Sequence, residues 1–206
     1  MIITCVTNEV FPDVSADSLP KIFGRAADQG ITSFELRLVE GKRFPMFEGD
    51  AFARLREHSK AHNINYTAMS PGLFKVPLKS EMTALHSDYL LPMSLDLADQ
   101  MGIKTLIVFG PTRAEPPIKG EFEEVVALIK NAVEIAVARG FAVQLENLPG
   151  SWADTADNCL ALLKAVDHPA FGYVWDVGNL YDEDQKHFCS IVHWIHYLQS
   201  AFLKIV

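Results

Sequence analysis

Apolar residues recur along the chain with two periods, about 2 residues in some segments and about 3.6 in others, which predicts short strands separated by amphipathic helices. Apolar runs rich in β-branched and aromatic residues predict seven strands, at residues 1–7, 31–41, 64–69, 103–110, 141–147, 171–179 and 191–199. Segments with helical spacing predict six helices between them, at residues 18–30, 50–63, 83–101, 121–140, 155–166 and 182–190. Strands that alternate with helices in this way form βα units and a parallel sheet.

Residues that begin, end or break helices support these boundaries. We expect Asp50 to cap the second helix, either Asp154 or Thr155 to cap the fifth, and Gly140 to end the fourth. Pro92 lies inside the third helix, where it should introduce a kink.

The sheet could be an open, doubly wound sheet or a closed barrel. An open sheet usually has a glycine-rich turn after its first strand, and residues 7–14, TNEVFPDV, contain no glycine. Charged residues at the strand ends favour a TIM-type (β/α) barrel, which typically needs about 250 residues and eight strands. The prediction is therefore an α/β protein with one domain, residues 1–206, forming an incomplete or C-terminally truncated barrel of about seven βα units.

Composition narrows the class of protein. A formal net charge of −8 argues against a nucleic-acid partner and fits an enzyme of small molecules. No apolar run reaches the roughly 18–20 residues of a membrane span, and the N-terminus lacks the pattern of a signal peptide. The three cysteines form no CxxC pair, so we expect reduced packing residues in a cytoplasmic protein.

Three potential metal ligands close consecutive predicted strands. Glu146, Asp176 and His196 end the fifth, sixth and seventh strands, and parallel strands of a barrel finish at one rim. Two carboxylates and an imidazole suit a divalent ion such as Mn²⁺, Mg²⁺, Co²⁺ or Zn²⁺. The sequence therefore predicts a metal site at this rim.

A charged pair lies in the second predicted strand. Glu35 and Arg37 are two residues apart and should point to the same side, opposite to Phe34 and Leu36. Their charges would either form a structural ion pair in the barrel floor or contact a sugar hydroxyl or phosphate.

Four segments that carry these residues resemble the xylose isomerase-like TIM-barrel superfamily, which includes sugar-phosphate isomerases and epimerases, hydroxypyruvate isomerases and AP endonucleases. They are FELRLVEG, VQLENL, HPAFGYVWDVGNL and IVHWIHYLQ, and the resemblance extends from the first strand to about Gln199. Three features depart from the family pattern. Asn179 replaces a common histidine, Leu198 and Gln199 replace a common Lys-Asp pair, and the eighth strand with its glutamate is missing.

The resemblance implies an isomerase or epimerase of a carbohydrate or hydroxy-keto acid that uses a divalent metal and an enediolate. Glu146 would be the catalytic base and a metal ligand, with Asp176 and His196 as further ligands. Asn147 and Asn179 would bond substrate hydroxyls, and an apolar wall is expected from Phe74, Phe109 or Trp152.

Two alternatives remain open at this point. The first is a catalytically impaired barrel that binds a small ligand or acts as an assembly partner, since an open sheet edge would allow a homodimer. The second, ranked lower, is an AP endonuclease.

Overall fold

The computed structural model describes residues 4–7, 19–39, 41–176 and 178–180. Within these ranges the strands are β1 Cys5–Val6, β2 Ser33–Leu36, β3 Leu38–Val39, β4 Lys42–Arg43, β5 Asn65–Leu73, β6 Thr105–Phe109, β7 Ala142–Glu146 and β8 Phe171–Val174. The α-helices are α1 Leu19–Asp28, α2 Ala51–Ala61, α3 Glu81–Leu85, α4 Leu91–Met101, α5 Glu121–Ala138 and α6 Ala156–Val166. The predicted seventh strand and sixth helix lie outside the described residues, as does His196.

The chain divides into two compact units. Among the described residues, the first unit contains those up to Pro71 together with Pro92–Thr105, and the second contains Gly72–Leu91 and those from Leu106 onward. The expectation of one domain over residues 1–206 stays a prediction.

The first unit contains parallel strands in the order β1-β2-β5. Phe34 and Leu36 are fully buried on β2, where the Phe34 ring meets the Phe23 ring edge to face at 5.4 Å. The predicted second strand was too long, because β2 ends at Leu36, and β3, Leu38–Val39, pairs antiparallel with β4, Lys42–Arg43. Gly41, with φ +72°, provides the left-handed backbone that this tight turn requires.

The second unit places β6, β7 and β8 side by side, with β7 and β8 parallel. Helix α5 packs against β7 and α6, and its buried residues Ile129 and Val133 follow the helical period. Thr155 caps α6, because its side chain accepts a hydrogen bond from Asn158 N. These contacts fix β7 and β8, the two strands that position the candidate site.

Two expectations about helix boundaries are corrected. Asp50 precedes α2 but makes no side-chain cap, since its carboxylate pairs with Arg54 instead. The predicted kink at Pro92 takes the form of a π-helical turn, His86–Leu90, immediately before α4. Pro92 has no N–H and its ring crowds the carbonyl four residues earlier, and a π turn relieves that conflict.

Candidate active site

Glu146 is the last residue of β7 and is buried although it carries a carboxylate. Val143 and Leu145 are fully buried, and Glu146 is 6% exposed. Aspartate and glutamate are rarely buried this deeply unless they interact with other groups. Burial of a carboxylate at the carboxyl end of a parallel strand is typical of a functional site in α/β proteins.

Asp176 lies two residues beyond β8, where its carboxylate starts a short helix. Oδ1 accepts hydrogen bonds from Gly178 N at 2.8 Å and from Asn179 N at 3.3 Å. These bonds form an Asx turn that opens the 3₁₀ helix Gly178–Leu180. The turn fixes one carboxylate oxygen, and the described hydrogen bonds of the side chain all use that oxygen.

Asn147 connects the ends of β7 and β8. Its Nδ2 donates to Asp176 O at 2.8 Å, and its Oδ1 accepts from Asp176 N at 2.8 Å. Asn179 Nδ2 in turn donates to the backbone oxygen of Asn147 at 2.8 Å. The structure therefore joins Asn147, Asp176 and Asn179 by hydrogen bonds, and Glu146 precedes Asn147 in the chain.

The strand register brings Glu146 level with the last residue of β8. Glu146 pairs with Val174, and Asp176 follows two residues later, beyond the end of that strand. Continued strand alternation would put the Asp176 side chain on the side of Val174, with a Cα separation from Glu146 of about 8 Å. That the two carboxylates share one face and one cation stays a prediction.

Tyr173 and Cys159 lie on the other face of β8, toward α6. Burial is the main cause that raises the pKa of the Tyr173 phenol, and Cys159, Asp176 and Glu146 raise it further. Burial also raises the pKa of the Cys159 thiol to about 12, and its Sγ donates to Ala153 O at 3.4 Å. Both groups therefore stay protonated at neutral pH and form an uncharged layer behind the carboxylates.

Gln144 lies two residues before Glu146 on the same face of β7. Its register partner is Gly172, and a Cβ at position 172 would lie 2.8 Å from Gln144 Oε1. The long amide side chain thus occupies the space that the glycine leaves on β8.

The loops after β6 and β7 are joined by contacts that the sequence analysis did not predict. Arg113 Nη2 meets Asp154 Oδ2 at 2.6 Å, and Asn158 Nδ2 donates to Asp154 Oδ1 at 2.7 Å. Trp152 N also donates to Pro111 O at 2.9 Å. Arg113 and Asp154 are 41 residues apart, and no local pattern indicates that they pair.

The proposed apolar wall consists of buried side chains. Phe74 and Phe109 are fully buried, and Trp152 is nearly so. His86 supports Phe74, because its Nδ1 accepts a hydrogen bond from the Phe74 backbone N–H at 2.9 Å. Burial lowers the pKa of His86, which favours the neutral imidazole needed for that bond. A role for Phe74, Phe109 or Trp152 in substrate binding stays a prediction.

Glu35 and Arg37 belong to the first unit, where both are half-buried. The backbone N–H of Arg37 donates to Thr7 Oγ1 at 3.1 Å, which ends the regular pairing of β2. Their role as substrate contacts or as a structural ion pair stays a prediction.

Oxygen ligands for a divalent cation are present in the second unit. Carboxylate oxygens of Glu146 and Asp176 are of the kind that Mg²⁺ and Mn²⁺ prefer. Within the described ranges, however, no group of three or more His, Cys, Asp or Glu side chains is arranged to hold a metal. The two carboxylates fit part of the predicted ligand set, and the third member, His196, lies outside the described residues.

Comparison with known proteins identifies the family. Residues 23–201 match the family model described as a xylose isomerase-like TIM barrel. The chain therefore belongs to this family, and the α/β fold of the TIM-barrel superfamily predicted from the sequence is confirmed.

A search of curated proteins gave no significant match. Among the helices that the structure describes, none combines the length and apolar character needed to cross a bilayer.

Solved structures share the fold at low sequence identity. An AP endonuclease of family 2 from Brucella melitensis is 18% identical with a TM-score of 0.70, and the match covers 98% of this chain and 77% of that one. D-allulose 3-epimerase from Methylomonas sp., in complex with D-allulose, is 17% identical with a TM-score of 0.68 over 89% of this chain. A xylose isomerase-like TIM barrel protein from Mycobacterium smegmatis, in complex with magnesium, is 16% identical with a TM-score of 0.67 over 87% of this chain. The chain spans only 65% of the length of each of the last two proteins.

Proposed function

We propose that this protein is a metal-dependent isomerase or epimerase of a sugar, a sugar phosphate or a hydroxy-keto acid. The observation that carries the proposal is the buried carboxylate of Glu146 at the end of β7, next to Asn147, which is hydrogen-bonded to Asp176 beyond the end of β8. A buried carboxylate beside a second carboxylate suits proton abstraction next to a carbonyl, in which one group moves the proton and both can hold a cation.

Glu146 is the proposed base. Its carboxylate takes the proton from the carbon next to the substrate carbonyl, and the electron pair of that C–H bond forms the C=C bond of an enediolate. Return of the proton to the neighbouring carbon gives isomerisation. Return to the same carbon from the opposite side gives epimerisation and requires a second acid there.

The ion would be held by Glu146 and Asp176, with His196 as the predicted third ligand. When bound, a divalent cation would supply Lewis-acid stabilisation of charge on the substrate oxygens. Gln144 limits the space on the β7 side below Glu146, and Tyr173 and Cys159 keep an uncharged layer behind both carboxylates.

Two structural neighbours support a carbohydrate substrate and a metal. One is an epimerase solved with D-allulose, and another is a family protein solved with magnesium. The net charge of −8 disfavours binding to a DNA backbone, so we rank the epimerase chemistry above an AP endonuclease.

The test is the Glu146→Gln variant, assayed in the presence of Mn²⁺ for isomerisation and epimerisation of sugars, sugar phosphates and hydroxy-keto acids. Loss of a general base should lower kcat by about 10²–10⁴-fold while circular dichroism stays unchanged. Glu121→Gln is the matched control, because Glu121 is similarly buried but lies at the start of α5.

Full activity of Glu146→Gln would exclude the base role. Removal of the metal with EDTA should abolish turnover in the wild-type protein, and added Mn²⁺ should restore it. A wild-type protein that binds Mn²⁺ but turns over none of these substrates would favour the alternative, a catalytically impaired barrel.

A further inference from the structure

The backbone ladder between β7 and β8 ends at Glu146, one residue before Asn147. Its last register pair is Glu146 with Val174. Beyond that pair, the Asn147 carboxamide makes two hydrogen bonds of 2.8 Å to the backbone of Asp176, one to N and one to O. A carboxamide has the same donor and acceptor as a peptide group, so the side chain of Asn147 supplies the next rung of the ladder.

This rung fixes where Asp176 stands. Asp176 has left regular strand geometry, yet its N–H and C=O both remain bonded toward β7. Its carboxylate is fixed separately, because Oδ1 accepts from Gly178 N and Asn179 N. Asn179 closes the ring by donating to Asn147 O. Backbone and side chain of Asp176 are therefore both held, and within the described part of the chain the hydrogen bonds to its carboxylate use Oδ1 and leave Oδ2 for a ligand.

Asn147 is almost completely buried, at 1% exposure, so water cannot easily replace the partners of these hydrogen bonds. A buried donor and acceptor that lose their partners are costly, so the Asn147–Asp176 arrangement has a single favoured geometry. Hydrogen-bonding partners of metal ligands commonly set the orientation of those ligands and the affinity for the metal.

We infer that Asn147 is a positioning residue, which holds Asp176 so that Oδ2 alone can bind a divalent cation beside Glu146. The metal part of this inference rests on the proposed function, and the positioning part rests on the hydrogen bonds alone. The role differs from the substrate contact expected from the sequence, since both polar atoms of the carboxamide already face the Asp176 backbone.

The experiment compares the wild-type chain, residues 1–206, with Asn147→Ala and with the control Asn158→Ala. Asn158 also uses its carboxamide as a donor in the second unit, but to Asp154 rather than to Asp176. Two quantities are measured: exchange of the Asp176 amide hydrogen by NMR in metal-free protein, and Mn²⁺ affinity by calorimetric titration. Asn147→Ala should speed exchange at Asp176 and weaken Mn²⁺ binding by about 10–100-fold. Asn158→Ala should leave both quantities within about twofold of wild type.

Each outcome decides one part of the inference. Unchanged exchange at Asp176 in Asn147→Ala would overturn the positioning role. Lost protection with unchanged Mn²⁺ affinity would overturn the link to the metal and leave Asn147 a purely structural residue. If the wild-type protein binds no Mn²⁺, the metal part of the proposed function fails, while amide exchange still decides whether Asn147 positions Asp176.

Discussion

The ion pair between Arg113 and Asp154 offers a quantitative test of how the loops after β6 and β7 are held. The Asp154 side chain is only 7% exposed and that of Arg113 is 19% exposed. The perturbation is Arg113→Met, which keeps much of the aliphatic volume and removes the charge. Asp154 would then be a buried carboxylate with Asn158 as its remaining donor among the contacts described above.

The expected cost follows from that burial. Removing one partner of a buried ion pair destabilises a protein by about 3–5 kcal/mol. We expect the lower end, about 3 kcal/mol, because Asn158 still donates to Asp154 and Arg113 is partly exposed. For a chain of this size each kcal/mol lowers Tm by about 2–4 °C, so the expected decrease is about 6–12 °C.

Urea denaturation measures the free energy of unfolding for Arg113→Met and for the double variant Arg113→Met/Asp154→Asn. The second substitution removes the isolated charge and should restore more than half of the loss. The exposed pair Lys79–Glu124 provides the control, since Lys79→Met should cost below about 1 kcal/mol. A cost for Arg113→Met as small as that of Lys79→Met, or a double variant no more stable than the single one, would refute the reasoning.

Two further predictions concern His86 and Gly110. Because burial lowers the pKa of His86 in the folded state, the unfolded chain takes up the proton first as pH falls. The comparison variant is His86→Asn, which keeps an acceptor for the Phe74 N–H. The free energy of unfolding of wild type relative to this variant should be greatest above about pH 6.5. Below that pH it should decline by at most about 1.4 kcal/mol per pH unit. Urea titrations from pH 7.5 to 5 measure this difference, and a constant difference would contradict it. Gly110→Ala should cost about 1–3 kcal/mol, because the new Cβ would lie 2.8 Å from Ala153 N. Gly24 lies on α1 with open space around it, so Gly24→Ala should be neutral or should stabilise the protein by about 0.5–1 kcal/mol. Thermal melts of both variants measure these effects, and equal effects of the two substitutions would argue against crowding at Gly110.

Local signals predicted much of the second unit. The strand expected at residues 141–147 is observed at Ala142–Glu146, and the helix expected at 155–166 is observed at Ala156–Val166. Gly140 and Thr155 mark these boundaries through backbone freedom and capping, which act within a few residues. Such signals can be read from the sequence because the groups that interact are neighbours along the chain.

Long-range hydrogen bonds explain where the sequence was misleading. Leu38 and Val39 extend the apolar alternation of β2, so the pattern predicted one strand from 31 to 41. The strand instead ends where the Arg37 N–H turns to Thr7 Oγ1, a group 30 residues away. Nothing in the sequence near Arg37 reveals that partner.

In the candidate site, too, local sequence patterns could be interpreted, whereas long-range hydrogen bonds could not. The βα alternation singled out Glu146, which ends β7, and Asp176, which lies two residues beyond β8. The bonds between Asn147 and Asp176 required the register of β7 and β8 to be known to one residue, since a shift by one would turn the side chains to the other face.

The contact between Gln144 and Gly172 determines the local volume two residues before Glu146. Any residue larger than glycine at position 172 would force Gln144 into another rotamer and change the surface next to Glu146. Under the proposed function, the space open to a substrate would then depend on the adjacent strand, at a position without any functional group. A substitution at residue 172 would alter that space and leave every reactive side chain unchanged.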